Sequence, residues 1–412
     1  MSNPVRLTSE KLAQAEALVA ASGVDAWITF VRETAENADP VLPLLFEGGL
    51  TWASALIVTR RGPRIAVVGN LDGPLLRDPG DWGEVVTYVQ SIREPLLEVL
   101  ERAIDRGAAA PRIAVNFSRD DDKADGLTHG MYLQLAEHLR GTRFEHALES
   151  AEPIVTALRA RKTAEEVRRM RVAIDATCQL FEAVGAFARV GVSEREVYDF
   201  IQREVDARGY GYAWDRDGDP IVNSGPDSAF GHGRPSPEIR IAPGHILHLD
   251  LGVVCEGYAS DIQRCWYVPR AGERGVPDDV RRAFDAVNGA ITAGAMALRP
   301  GVEGWTVDAA ARRHLVAAGY PEYPHSLGHQ VGRVAHDGGA LLGPRWERYG
   351  RMPCLTVETD QVFTLELGTH VDGRGYLGLE EMVQVTGDGC AWLTARPGAL
   401  PRLGAPPRAP SA

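Results

Sequence analysis

The sequence predicts an α/β domain followed by an α+β domain made of two related halves. Three observations predict it. Over the first 150 residues, apolar runs with strand character alternate with amphipathic runs of helical period. Near residue 160 a helix-opening signature follows a Pro-containing joint. The segment 188–210 then recurs without gaps as 298–320.

Taken in order, residues 11–22 read as a short amphipathic helix stopped by Gly23. Residues 24–30 read as a strand, as do 53–60, 64–69, 85–90 and 112–118. Helical patterns lie at 95–106 and 128–140. Strands alternating with helices indicate an α/β domain. No His, Asp and Glu cluster at ligand spacing in this half, and Asp120-Asp121-Asp122 reads as a charged loop.

A boundary is expected at Ala151-Glu152-Pro153, giving domains 1–155 and 156–396 and a disordered tail 397–412. The tail's Pro/Ala/Gly-rich composition cannot bury enough apolar surface to order it. Beyond the joint, Thr163 and Glu166 form a capping box for a helix running to about residue 188. Ser193 and Glu196 open a second helix, which Gly209 stops. The repeat ARVGVSEREVYDFIQREVDARGY / LRPGVEGWTVDAAARRHLVAAGY is a turn, a helix and a Gly stop each time. A duplicated half with helices outside would bring strand residues of both halves to one central seam.

Hydrophobic content of 44% and charged content of 24% are ordinary for a globular chain, and 412 residues suggest two or three domains. A net charge of −12 argues against nucleic acid or an anionic membrane as partner. Cys178, Cys255, Cys265, Cys354 and Cys390 are odd in number and lack C-x-x-C spacing, which suits free thiols in a reducing cytoplasm. The first residues show no basic region followed by an apolar one, so no signal peptide is expected. No apolar run approaches the roughly 18 residues of a membrane span.

The chemistry starts in one hairpin. Residues 246–251 enter it, the turn is expected at Cys255-Glu256-Gly257, and 261–268 leave it. A turn centred between Cys255 and Glu256 sets Asp250 opposite Asp261, and a shift of one residue makes the pair diagonal. Two carboxylates that close repel unless a cation sits between them. Downstream, His325, His329 and His336 fall within a Gly-rich segment that suits loop or strand better than a helical zinc face. Glu366 stands on the face of its strand opposite Phe363, Leu365 and Leu367. Glu380 and Glu381 face opposite ways on another strand, and alternation alone leaves open which one meets a metal. Asp, Asp, His, Glu and Glu without thiolate suit Mn²⁺, Co²⁺ or Fe²⁺, with Zn²⁺ also accommodated. Four carboxylates balance two divalent cations, which together can bridge a hydroxide and polarise a carbonyl.

From about residue 155 to 395 the order and spacing of these pieces resemble the pita-bread metallopeptidases: methionine aminopeptidase, Xaa-Pro aminopeptidase, prolidase and the creatinase relatives. The matching pieces are Leu249-Asp250-Leu251-Gly252 with Asp261, then Gly328-His329, Phe363-Thr364-Leu365-Glu366 and Leu379-Glu380-Glu381-Met382-Val383. Residues 1–150 look like the creatinase-type N-terminal domain of the prolidase branch. The resemblance implies that Asp250 chelates one metal and that Asp261 and Glu380 bridge both. It implies that His329 and Glu366 complete the other, and so selects Glu380 over Glu381. It gives His232 an outer-pocket position, and makes His325 and His336 the pair flanking His329. Their implied roles are substrate contact, oxyanion stabilisation and proton transfer to the leaving amine. His245 and His248 receive no family role and read as structural. A homodimer is also implied.

The sequence departs from the prolidase pattern around this set. The arginine usual two residues before the last glutamate is Gly378, the proline after the first is Leu367, and a usual tyrosine is His370. The segment between His336 and Glu366 is long and carries Arg345, Trp346, Arg348 and Arg351. Arg374 or a loop arginine is the expected substitute for the missing guanidinium. Tyr212, Trp214 and Phe230 are candidate walls for a proline ring. The expected activity is two-metal hydrolysis of Xaa-Pro bonds in dipeptides or short peptides, with Glu366 as base and Mn²⁺ as metal. The alternative is a metal-dependent lyase or C–N hydrolase acting on a small non-peptide substrate on the same scaffold.

Overall fold

The fold is described from a computed structural model for residues 6–77, 81–105, 107, 110–228, 231 and 233–404. The chain forms two compact units, Met1–Arg159 and Ala160–Ala412.

The first unit is built on a mixed sheet of β1 (Ala26–Val31), β2 (Ser54–Thr59), β3 (Ile65–Gly69), β4 (Glu84–Tyr88), β5 (Ile113–Val115) and β6 (Leu148–Ser150). The strand order is β4-β3-β2-β1-β5-β6. β1 to β3 pair antiparallel, whereas β3–β4, β1–β5 and β5–β6 are parallel. Strands β1, β2, β3 and β5 are buried at every residue because both faces are covered. Trp27, Leu56 and Val68 face one core, and Ile28, Ile57 and Val67 face the other. Helix Leu7–Ser22 packs on the first core and ends at Gly23, whose φ of 84° suits glycine. Helices Arg93–Ala103 and His129–Leu139 supply the second. The sequence reading lacked β6 and helix Glu152–Ala160. β6 is only three half-buried residues, too short for a period. In the helix, Pro153 sits in the first turn, where its missing N–H leaves no bond unmade.

In the second unit both capping boxes form. Thr163 Oγ1 accepts from Glu166 N–H at 3.3 Å while the Glu166 carboxylate accepts from Thr163 N–H at 2.8 Å. The helix they open is Ala164–Phe187. Ser193 and Glu196 repeat the arrangement for Glu194–Arg208. The duplication is visible in the backbone. Gly191 and Gly301 open their turns with φ of 92° and 88°, and Gly209 and Gly319 close the helices at 68° and 90°. Ser193 bridges Arg240 and the equivalent Glu303 bridges Thr356, both antiparallel.

The strands are β7 (Gly211–Tyr212), β8 (Ile221–Ser224), β9 (Ile246–Leu251), β10 (Val253–Cys255), β11 (Tyr258–Ala259), β12 (Ile262–Tyr267), β13 (Val362–Val371), β14 (Gly375–Val385) and β15 (Cys390–Trp392). They form three three-stranded sheets, β11-β10-β7, β12-β9-β8 and β13-β14-β15. β14 packs beside β9 and β12, so the two halves meet at a seam. Helices Asp278–Ala297 and Gly304–Ala317 cover it through Phe284, Val287, Ile291, Val307 and Leu315. The expected disorder from Pro397 is not found as far as Gly404. Leu400 and Leu403 are buried, and Leu403 N–H donates to Tyr267 O at 2.8 Å. Two leucines in the Pro-rich run suffice to anchor it; residues 405–412 lie outside the described residues.

Candidate metal centre

The hairpin turn falls one residue later than expected. Val254 pairs with Ala259 and Cys255 with Tyr258, leaving Glu256 and Gly257 as the turn. Both have positive φ, 50° and 76°, the conformation a two-residue hairpin demands. The same register continues into β9 and β12, where Asp250 faces Gln263. Asp261 is therefore diagonal to Asp250. Parity is preserved, and the two carboxyls still feel each other's charge. Gly252 permits this close passage, since a Cβ there would sit 2.3 Å from Ser260 O.

The second half adds the other three. β13 and β14 pair so that Glu366 lies directly across from Glu380. His329 rides on a short segment added to β13: Thr364 N–H donates to His329 O at 2.9 Å and Glu366 N–H to Leu327 O at 2.6 Å. His329 Nδ1 lies 3.1 Å from Ala335 O, so it carries the hydrogen and Nε2 is left with a lone pair. Nε2 points at Asp261 Oδ2 and Glu366 Oε1, each 3.6 Å away. Ligand atoms of Asp261, His329 and Glu380 all lie within 4.8 Å of one another. Glu381 faces the other way, where Arg264 meets it at 3.0 Å and Thr394 donates to it. A glutamate neutralised by its own arginine is not available to an ion.

The electrostatics are those of acceptors without donors. Burial pushes Asp250 up to about 7. Burial and the Asp250 charge push Glu366 up to about 8. Burial and the Asp250 charge raise Asp261 well above the carboxylate range, and burial and the Asp261 charge do the same to Glu380. Burial and His336 lower His329 to about 3, keeping it neutral. Asp250 Oδ1 and Glu380 Oε2 are buried with no hydrogen-bond partner among the described residues. Bare oxygens, a neutral imidazole lone pair and four mutually repelling carboxyls fit divalent cations.

The remaining expectations divide. His336 stacks edge-on against His329, ring centres 4.3 Å apart. His325 lies edge-on to Tyr323 at 5.5 Å, and its carbonyl accepts from Arg312. His232 and Phe230 lie outside the described residues. Arg374 does not replace the missing guanidinium: it is held by Asp279 at 3.0 Å and Gly244 O at 3.1 Å. In the long segment, Arg348 donates to Pro324 O and lies over Trp346, and Arg345 lies over Trp305. Tyr212 donates to Asp206 and Trp214 to Gly218 O, which gives both structural roles.

Sequence reasoning missed four neighbours. Gln263 Nε2 donates to Glu366 Oε2 at 2.8 Å. His248 contacts Gln263 at 3.0 Å, and burial lowers its basicity to about 4. Tyr376 and Tyr323 are buried, and burial raises both hydroxyls, with the Glu366 charge raising them further. Strand parity from Asp250 and Asp261 marks His248 and Gln263 as same-face residues. Parity from Glu380 marks Tyr376 in the same way on β14, whereas Tyr323, outside any strand, carries no such signal.

The family model for metallopeptidase family M24 matches residues 168–387, more than half of the chain. The chain belongs to metallopeptidase family M24. Among M24 relatives it is 28% identical over 274 residues to the uncharacterized peptidase YqhT of Bacillus subtilis, covering 66% of this chain and 72% of that protein. Among solved structures, the dipeptidase PepE of Mycobacterium ulcerans is 26% identical with a TM-score of 0.71, covering 96% of this chain and 98% of that one. The Xaa-Pro dipeptidase of Bacillus anthracis shares the fold, at 24% identity and a TM-score of 0.71, covering 96% and 100%. The protein is thus a pita-bread metallopeptidase of M24 type. No helix among the described residues is long and apolar enough to cross a membrane.

Proposed function

We propose that this M24 peptidase hydrolyses Xaa-Pro bonds in dipeptides or short peptides using two divalent cations held by Asp250, Asp261, His329, Glu366 and Glu380. The observation that carries the reading is the convergence of these side chains, four acidic and one neutral, in a buried site with bare carboxylate oxygens. When bound, two such ions supply Lewis acidity that acidifies a water and polarises a scissile carbonyl. Glu366 receives the water's proton. His336, stacked on His329, and His325 donate hydrogen bonds to the carbonyl oxygen and to the departing imide nitrogen. His232 acts at the outer pocket.

The donor set favours Mn²⁺ over softer ions. The five cysteines are all free, which supports a reducing compartment such as the cytoplasm. A homodimer completes the reading.

With Gly378 in place of a side chain and Arg374 engaged by Asp279, no arginine is committed to a substrate carboxylate at that position. Tripeptides with proline second are therefore expected to be cleaved at rates comparable to dipeptides. The test is a peptide-length series on Mn²⁺-loaded enzyme. Intact Xaa-Pro dipeptides and longer Xaa-Pro peptides would defeat the proposal.

A further inference from the structure

We propose that Gln263 is a positioning residue that clamps Glu366, and that His248 and the bare backbone of Gly378 hold the clamp in one orientation. The proposal rests on the reading of Glu366 as a metal ligand.

Gln263 is buried on β12, two residues after Asp261 and so on the same face. Its amide nitrogen donates to Glu366 Oε2 at 2.8 Å. One primary amide has two hydrogens to give, and an ionised carboxylate only accepts. The ionised Glu366 carboxylate therefore fixes which way the amide points. Its oxygen must face away, and it lies 3.0 Å from His248 Nε2. An acceptor there requires the hydrogen of His248 to be on Nε2. The ring is fully buried, with Nδ1 3.1 Å from Asn223 Oδ1 on β8 and the ring edge-on to Tyr376 at 5.0 Å. A neutral ring has one hydrogen, so with it on Nε2 the Asn223 amide turns its NH₂ to Nδ1 and its oxygen to the Ser228 hydroxyl 3.0 Å away, which can donate.

Gly378 accounts for the remaining space. It lies mid-strand in β14, where glycine weakens a sheet, and it has no positive φ that would require glycine. A Cβ at this position would sit 2.7 Å from Gln263 Oε1 and 2.9 Å from His248 Nε2. It would land on the hydrogen bond itself. The glycine, the histidine and the glutamine are thus one device spanning β14, β9 and β12. Its effect is to hold Glu366 Oε2, leaving Oε1, 3.6 Å from His329 Nε2, turned toward the ion site.

The first test needs no variant to fold. Nitrogen-15 NMR of histidine-labelled wild-type protein loaded with diamagnetic Zn²⁺, so that Glu366 is ionised, should show His248 as the Nε2–H tautomer; the Nδ1–H tautomer would overturn the proposal. The second test is Mn²⁺ calorimetry. Gln263→Met keeps the volume without the amide and should weaken Mn²⁺ binding about 10- to 100-fold, as loss of a partner behind a ligand does. Gly378→Ala should weaken it in the same direction. Wild-type affinity in both would sink the clamp. Glu366→Gln serves as control: if it too takes up two ions with wild-type affinity, the ligand reading fails and the clamp with it. Weakened binding in Glu366→Gln but not in Gln263→Met would overturn the clamp alone.

Discussion

Each unit buries carboxyl groups in its sheet region, and the two do so in opposite ways. In the N-terminal unit, Asp39 accepts from Asn116 Nδ2 at 2.8 Å and from Val41 N–H at 2.9 Å. Asn116 in turn accepts from Trp27 Nε1 at 2.6 Å. Burial raises Asp39, and its donors, with Arg159, pull it back. In the M24 unit, Asp250, Asp261, Glu366 and Glu380 face one another, and two of their oxygens meet no donor among the described residues. A buried carboxyl surrounded by donors is a structural pin. Buried carboxyls surrounded by carboxyls are stable in the ionised form only with cations among them.

The largest expected contrast follows from removing one acid from each cluster. Asp261→Asn or Glu380→Gln should cut peptidase activity by a factor on the order of 10²–10³ or more, the scale of one lost electrostatic partner at a reacting centre. The same variants should melt higher than wild type when both are stripped of metal, because one carboxyl that the fold must either protonate or hold beside like charges is gone. Lower melting of the stripped variants would break the comparison.

The pH dependence of the metal-free protein is the next largest effect. Asp250 and Glu366 are raised to about 7 and about 8, whereas unfolded carboxyls titrate near about 4. Between these values the folded chain holds protons that the unfolded chain has released. Stability contributed by the protonated carboxyls is therefore full below about pH 4 and is lost as pH rises toward 8. Bound cations displace those protons. The gap in melting temperature between Mn²⁺-loaded and chelator-treated protein should widen steadily from pH 5 to pH 8. A gap independent of pH would count against the cluster as the metal's seat.

How much of this was legible in the sequence depends on whether the signal was local. The two capping boxes and the Gly191/Gly301 and Gly209/Gly319 pairs are short-range devices, and the backbone realises each of them. Asp250 and Asp261 were legible as a pair, but their register was not. Glu256 adopts a positive φ that its residue type does not advertise, and this moves the turn by one. Glu380 and Glu381 could not be told apart by alternation. What separates them is Arg264, a residue more than a hundred positions away that neutralises Glu381. Gln263 and His248 share parity with the two aspartates, yet only the seam with β14 brings them to Glu366 and Gly378. Arg374 was a reasonable substitute by proximity in sequence. Its partner Asp279, at the start of a distant helix, takes it away. Leu400 and Leu403 order a stretch whose composition alone argued for disorder.

Glu381 offers a sharper version of the same comparison, within one strand. It is buried and paired, one residue from Glu380, which is buried among acids. Glu381→Gln should lower stability by about 2 kcal/mol, the scale of a hydrogen bond to a charged group. Arg264 keeps its bonds to the Gln263 and Glu380 carbonyls, which limits the loss. Manganese stoichiometry should stay at the wild-type value. Loss of an ion in this variant would mean that the two glutamates are not functionally separate.

The smallest expected effect tests the structural pin itself. Asp39→Asn keeps an oxygen able to accept from Val41 N–H, but its new amide hydrogens face the Asn116 amide nitrogen, itself a donor. One hydrogen bond is lost and no cavity is created, so the cost is about 1 kcal/mol. Thermal unfolding should show that cost equally with Mn²⁺ and with chelator, because nothing in the Asp39 network awaits an ion. A metal-dependent cost would make Asp39 part of the same electrostatic system as Asp250, which its complement of donors argues against.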